Sequence, residues 1–379
     1  MKVFFSAGEA SGDWHAAAVA RALKERVPAL EMQGMGGAEM RAAGVTVVHD
    51  IADLGVIGIA EIIRKLPFFF RLRSELVEAI RRQQPDVVVC VDYPGFNMKL
   101  AQAVKKELGI PVVYYIAPTI WAWHRSRGKA IARDTAAVAS IFPMDVPLYR
   151  EDGARVEFVG HPLVDLVRPE WSQDETRAYF QMDPAKKQLL LLPGSRRQEV
   201  QSLLPTMLTA AELLAKEFPL QCWLPRASTI SEAELAPLLA ETELDIQMTT
   251  SHLHDLMTVC DAALAASGTV TLETALLGLP TVLCYKVAPL TYWLGRRVLQ
   301  TPHIGLPNIV AGREVIPEFL QQDVTPENLA HAVASWWRDE EASRRLRDDL
   351  AMVREKLGAP GAVGRVADLI IRIAEENND

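Results

Sequence analysis

The residues best suited to chemistry stand where apolar runs stop. Val91-Asp92-Tyr93-Pro94-Gly95-Phe96-Asn97 puts a carboxylate at the end of one such run. A side chain anchored at a strand end is held more rigidly than one in a loop, so Asp92 is well placed for a general base. Beside Pro94 it can also be a plain turn former. Leu192-Pro193-Gly194-Ser195-Arg196-Arg197-Gln198-Glu199 joins a Gly-Ser turn to a cation. Free N–H groups where a helix begins, with a guanidinium beside them, fit an anion; Arg196 is the expected diphosphate contact and Arg197 a surface residue. In Ala265-Ala266-Ser267-Gly268-Thr269-Val270-Thr271-Leu272-Glu273 a buried run leads to Ser267, Gly268 and Thr269 at a second helix start. Glu273, four residues after Thr269 and on the same face, can accept hydrogen bonds from ribose hydroxyls; its other reading is a first-turn acid on the helix dipole.

Further segments carry weaker signals. Gly8-Glu9-Ala10-Ser11-Gly12-Asp13 follows an apolar run and opens a helix, with Ser11 or Asp13 as a cap and Glu9, Ser11 and Gly12 on a loop that can face a substrate. It is neither G-x-G-x-x-G nor a P-loop. Leu306-Pro307-Asn308 and Gly312-Arg313-Glu314 sit in a Pro-punctuated loop, where Asn308 and Arg313 are candidate sugar contacts. Trp121-Ala122-Trp123 offers one tryptophan for a core and one, Trp123, for a binding wall. Four cations mix with apolar residues from Ile59 to Arg73, where Ile62, Ile63, Leu66, Phe68, Phe69 and Phe70 can enter a lipid surface. The alternative there is a core-facing helix pair kinked at Pro67. No Asp-x-Asp, His-Glu-x-x-His, Cys-x-x-Cys or Gly-x-Ser-x-Gly occurs, so no metal site and no cofactor site is legible.

These segments need a scaffold. The 379 residues suffice for two domains, and 49% hydrophobic against 23% charged is an ordinary globular balance. A net charge of −8 argues against general nucleic-acid binding. Four scattered cysteines fit a reduced compartment. The longest stretch without a charged residue, 108–124, is short for a membrane span and holds Pro111 and Pro118. Short apolar runs alternating with amphipathic ones predict parallel α/β layers. Strands are expected at Val3–Ser6, Val45–His49, Pro85–Val91, Pro111–Ile116, Ala136–Phe142, Gln188–Leu192, Leu220–Leu224, Ala262–Ala265 and Thr281–Tyr285, with a polar linker from Arg168 to about Lys187. The motifs thus fall after strands, where open parallel sheets bind ligands.

The motifs at 8–13, 121–123, 192–196, 267–269 and 306–314 occur in the same order in lipid-A-disaccharide synthases, which the chain resembles from Val3 to about Glu318. Where that family often has Ser-Pro-Ser before Trp-Ala-Trp, this chain has Ala117-Pro118-Thr119. The resemblance implies an α/β, GT-B architecture: two Rossmann-like parallel-sheet domains facing a central cleft, with a helical C-terminal segment. The expected division is 1–167, binding acceptor and facing a membrane; 168–355, binding a UDP-sugar; and 356–379, packing back on the first domain or swapping into a partner. A homodimer is expected.

The implied reaction moves 2,3-diacylglucosamine from UDP-2,3-diacylglucosamine to the 6-hydroxyl of 2,3-diacylglucosamine 1-phosphate. It makes a β(1→6) disaccharide 1-phosphate and UDP by inverting displacement, without metal or cofactor. In that reading Asp92 is the base and Arg196 neutralises leaving UDP, helped by the helix starts at Gly194-Ser195 and Ser267–Thr269. Glu273 holds the ribose, and Asn308 and the Glu9–Ser11 loop position sugars. The protein would be cytoplasmic, peripheral on the cytoplasmic face of the inner membrane. Rival readings are a UDP-sugar 2-epimerase, another glycosyltransferase of this fold, or a non-catalytic membrane-peripheral sensor of nucleotide sugars.

Overall fold

A computed structural model describes residues 1–54, 66–120, 126–287 and 301–377. The chain divides into two compact units, residues 1–162 with 358–379, and residues 163–357.

The first unit is a seven-stranded sheet in the order β3-β2-β1-β4-β5-β6-β7. Its strands are β1 (Lys2–Ala7), β2 (Glu31–Gly36), β3 (Thr46–Asp50), β4 (Val87–Val91), β5 (Val112–Tyr115), β6 (Ala137–Ser140) and β7 (Val156–Phe158). Every neighbouring pair runs parallel. Parallel neighbours need crossovers, which here include α1 (Ala10–Arg26), α2 (Ala38–Ala42), α3 (Leu66–Gln83), α4 (Pro94–Leu108) and α5 (Arg127–Asp134), with α6 (Asp145–Glu151) before β7. Helices cover both faces, so β4 is buried at every position and reads as an unbroken apolar run. Phe4, Val88, Leu100 and Tyr114 centre one core, against which Phe68 and Phe69 pack.

The second unit begins with α7 (Leu163–Leu166) and α8 (Gln173–Tyr179). The polar stretch after Arg168 is therefore not a plain linker: Ser172 and Glu175 form a capping box, the sequence signature of a helix start. Asp255 accepts from the N–H groups of Glu170 and Trp171, both at 2.7 Å, and ties the segment to this unit. A six-stranded parallel sheet follows in the order β10-β9-β8-β11-β12-β13. The strands are β8 (Lys187–Leu192), β9 (Leu220–Pro225), β10 (Ile246–Thr249), β11 (Ala262–Ala266), β12 (Thr281–Tyr285) and β13 (Glu318–Leu320). Between and after them lie α9 (Arg197–Ala215), α10 (Glu232–Leu239), α11 (Leu253–Val259), α12 (Thr269–Leu276), α13 (Leu306–Ala311), α14 (Pro326–Arg338) and α15 (Glu340–Lys356).

The final helix, α16 (Ala362–Glu376), belongs to the first unit. Val366, Leu369, Ile370 and Ile373 are buried along one face, the stripe an amphipathic helix needs to dock. Arg26 pairs with Asp368 at 2.7 Å, Arg372 with Glu157 at 2.6 Å and Arg155 with Glu376 at 2.6 Å.

Candidate active site

In each sheet the strand order reverses once: at β1/β4 in the first unit and β8/β11 in the second. Crossovers leave such a pair in opposite directions, so their carboxyl ends open a crevice. The loops at these points are 8–9 after β1, 92–93 after β4, 193–196 after β8 and 267–268 after β11.

Asp92 stands at the first reversal, half-buried, with Ala7 of β1 opposite Val91 of β4. Its backbone is left-handed, with φ of 49°, and Tyr93 follows at φ 49° and ψ 54°. Two successive non-glycine residues there cost about 1–3 kcal/mol each and persist only where surroundings enforce them. The enforcing groups are visible. Asn97, fully buried, has its Nδ2 at 2.9 Å from the Asp92 carbonyl, 3.1 Å from that of Val91 and 3.0 Å from that of Ser6. Ser6 Oγ donates to Asn97 Oδ1 at 2.6 Å, and Tyr114 Oη donates to the Asp92 carbonyl at 2.9 Å. Burial holds the Tyr114 phenol well above its ordinary pKa, so it stays a donor. Tyr93 turns its ring against Gly8, where any Cβ would lie 2.1 Å from a ring carbon; this close approach requires glycine.

Burial pushes the Asp92 carboxyl above its usual range, a hydrogen bond from the Tyr93 N–H opposes this, and the charge of Glu9 pushes it up further. A raised carboxyl is a stronger proton acceptor. Glu9 and Ser11 are exposed at the start of α1, and Gly12 is buried beneath. Neither Ser11 nor Asp13 caps that helix. Asp13 instead accepts from the Gly37, Glu39 and Met40 N–H groups at 2.6, 3.0 and 3.2 Å, capping α2 from a neighbouring helix.

In the second unit Gly194 adopts φ of 107°, which glycine alone takes without strain. Arg196 is the N-cap of α9, and its guanidinium, 83% exposed, meets Glu199 at 2.8 Å. An exposed pair of this kind contributes little, so an arriving anion displaces Glu199 readily. Arg197 points to α10 and pairs with Glu234 at 2.5 Å, a surface contact. Ser195 is exposed, its carbonyl taken by Thr229 Oγ1 at 2.5 Å. Gly268 and Thr269 are exposed at the start of α12, with Ser267 half-buried. Glu273, one turn on, is largely covered and meets His254 Nε2 at 3.0 Å, a partner that sequence spacing did not suggest.

Two expected sugar contacts are otherwise engaged. Asn308 is fully buried; its Nδ2 donates to the Ile316 carbonyl at 2.8 Å and to Glu318 at 2.6 Å. Its Oδ1 accepts from the Val315 and Ile316 N–H groups at 2.7 and 2.9 Å. With both amide protons and both lone pairs taken, Asn308 braces its loop and has no position free for a sugar. Glu318 completes the brace by accepting from Ile304 and Gly305 N–H at 2.9 and 3.0 Å. Arg313 forms a bidentate pair with Asp349 at 2.9 and 2.5 Å.

In the apolar segment, Phe70 is 58% exposed under the Arg73 guanidinium, while Phe68 and Phe69 are partly covered. Ring contacts run from Phe69 to Phe96 and from Phe96 to Tyr93, beside Asp92. Ile62, Ile63 and Trp123 lie outside the described residues, as does the side chain of Leu66. Among the described residues no helix is long and apolar enough to cross a membrane, and no three His, Cys, Asp or Glu side chains gather as metal ligands.

Solved structures share this architecture. A UDP-GlcNAc 2-epimerase from Neisseria meningitidis bound to UDP-GlcNAc aligns with a TM-score of 0.68 at 13% identity, over 98% of this chain and 100% of that one. MurG from Acinetobacter baumannii aligns at 0.61 and 19%, over 98% and 99%. CalG4, the calicheamicin glycosyltransferase, aligns at 0.63 and 15%, over 99% and 98%. At such identities the likeness speaks for the fold, which is GT-B. Sequence relatives are far nearer. A lipid-A-disaccharide synthase from Geobacter sulfurreducens is 42% identical over 373 residues, covering 98% of this chain and 97% of its own. One from Trichlorobacter lovleyi is 43% identical over 377 residues, covering 99% and 98%. The sequence profile described as lipid-A-disaccharide synthetase matches residues 3–361, and with these relatives spanning both units, the chain belongs to that glycosyltransferase family.

Proposed function

We propose that the chain moves 2,3-diacylglucosamine from UDP to the 6-hydroxyl of 2,3-diacylglucosamine 1-phosphate, with Asp92 as the general base. The observation that carries the reading is the Asp92 turn: a left-handed backbone gripped by Asn97 and Tyr114, with a carboxyl raised by burial. A primary hydroxyl is a weak nucleophile at neutral pH, so the base removes its proton as oxygen attacks the anomeric carbon. The C–O bond to UDP breaks on the opposite face, which inverts the centre without a covalent intermediate. Charge accumulates on the departing diphosphate, where Arg196 and the N–H groups at Gly194-Ser195 and Ser267–Thr269 neutralise it. Glu273 accepts from the ribose. The acylated substrates bring the enzyme to the cytoplasmic face of the inner membrane, with Phe70 as the exposed apolar contact.

Purified protein is mixed with both substrates in detergent micelles containing EDTA, and UDP and disaccharide are scored together. Both products form. Asp92→Asn lowers kcat by about 10²–10⁴-fold while UDP still binds. Full turnover by that variant would remove Asp92 from the base role, and absence of disaccharide with magnesium restored would end the transferase reading.

A further inference from the structure

A groove of about 270 Å³ runs along the first unit between α4 and α5. Pro94 and Gly95 line it, two and three residues beyond Asp92, as do Lys99, Tyr114, Arg127 and Ile131. Tyr114 joins the groove to the base, because the hydroxyl of the same side chain donates to the Asp92 carbonyl at 2.9 Å. The chain as a whole is acidic, yet this lining is cationic. Of its cations, Arg133 is neutralised by Asp134 at 2.5 Å, whereas Lys99 and Arg127 have no ion-pair partner among the described residues. Arg127 is half-buried, and its charge is felt at the Tyr114 and Tyr149 phenols, opposing the upward push of burial. Two cations that no described acid compensates, over a partly apolar floor, are arranged for an anionic ligand.

We propose that this groove seats the phosphomonoester of the acceptor, with Arg127 and Lys99 as its cations, so that the hydroxyl across the same sugar ring meets Asp92. The assignment rests on the reading of Asp92 as the base, because that fixes which end of the acceptor lies beside Pro94. It gives the first unit a means of selecting an acceptor by its phosphate. A guanidinium offers paired donors to phosphate oxygens and an ammonium adds a point charge, so Arg127 supplies geometry and Lys99 supplies attraction.

The test compares 2,3-diacylglucosamine 1-phosphate with its dephosphorylated form as acceptors, in micelles. The wild type prefers the phosphorylated acceptor. In the double variant Lys99→Met, Arg127→Met that preference, as a ratio of kcat/KM values, falls about 10- to 100-fold, and Arg127→Lys restores part of it. Donor KM stays as in the wild type, which separates the effect from misfolding. An equal loss on both acceptors, or no loss, would overturn the assignment. Flotation on phosphatidylglycerol vesicles forms a second arm: variants that lose vesicle binding but keep the acceptor preference would assign the cations to membrane headgroups and overturn the proposal. Calorimetric titration of glucosamine 1-phosphate into Asp92→Asn, with and without Arg127→Met, separates the two readings. Binding that depends on Arg127 supports the phosphate seat even where Asp92 fails as the base.

Discussion

The side-chain amide of Asn97 lies 2.9 Å from the main-chain oxygen of Asp92, and the same nitrogen reaches the carbonyl of Val91, which ends β4, and that of Ser6, one residue before the end of β1. One buried side chain therefore ties the two strands that flank the sheet's reversal and holds the turn that aims the carboxylate. Asn97→Ala removes a donor shared by three carbonyls and leaves Tyr114 alone on that of Asp92, at a cost of about 1–3 kcal/mol in stability. The freed turn relaxes from its left-handed conformation, so kcat should fall by about tenfold or more with little change in UDP affinity. Urea unfolding and steady-state kinetics on the same preparation check both; unchanged kcat with reduced stability would leave Asn97 a packing residue only.

The acid limb of the rate profile is set by Asp92. As a base it works deprotonated, and its pKa is raised, first by burial and then by Glu9. Activity should therefore fall off at a higher pH than an ordinary aspartate would give. Glu9→Gln removes a like charge, makes the ionised form easier to reach, and should move the limb of kcat/KM to lower pH. A limb that stays in place in Glu9→Gln, measured at constant ionic strength, would assign it to another group.

The three phenylalanines of α3 should separate into two kinds. Phe68 and Phe69 lean on the core of the first unit, so Ser at either should lower stability by roughly 1–2 kcal/mol. Phe70 is exposed, and Phe70→Ser should leave the unfolding midpoint almost unchanged while weakening flotation on anionic vesicles. Vesicle binding that survives Phe70→Ser would place the lipid contact elsewhere on the chain.

What could be read from sequence divides along physical lines. Buried parallel strands such as Val87–Val91 announce themselves, because burial on both faces demands an apolar run. The motifs after β1, β4, β8 and β11 were legible for the same reason, being the polar punctuation of such runs. Glu31–Gly36 gave no comparable signal: it is a strand with two glycines and a glutamine, held by its place beside β1. Ile246–Thr249, at the sheet edge and half-exposed, and the three residues of β13 are as quiet. In the site, the partners of a polar side chain were the hidden part. Asp13 caps a helix 24 residues away, Asn97 bonds across 91 residues to Ser6, and Asn308 turns inward to Glu318. Each depends on tertiary closure that no local spacing encodes.

The contact between His254 and Glu273 carries the last prediction. Glu273 follows the exposed start of α12, and one of its oxygens lies 3.0 Å from His254 Nε2. Fixed from one side, the carboxylate keeps its remaining acceptor capacity for the hydroxyls of a ribose. Glu273→Gln turns one acceptor oxygen into a donor and removes the charge, so UDP affinity should drop about 10- to 100-fold, the range for hydrogen bonds to a charged group. His254→Ala leaves the charge but frees the side chain to rotate, so its effect should be smaller, about threefold. The decisive comparison uses 2′,3′-dideoxy-UDP. The wild type should bind it more weakly than UDP, whereas Glu273→Gln should bind the two nearly alike, since the lost hydroxyls no longer have a partner. If Glu273→Gln keeps the full preference for ribose, the glutamate serves the helix terminus alone, and the ribose is held by another group of the second unit.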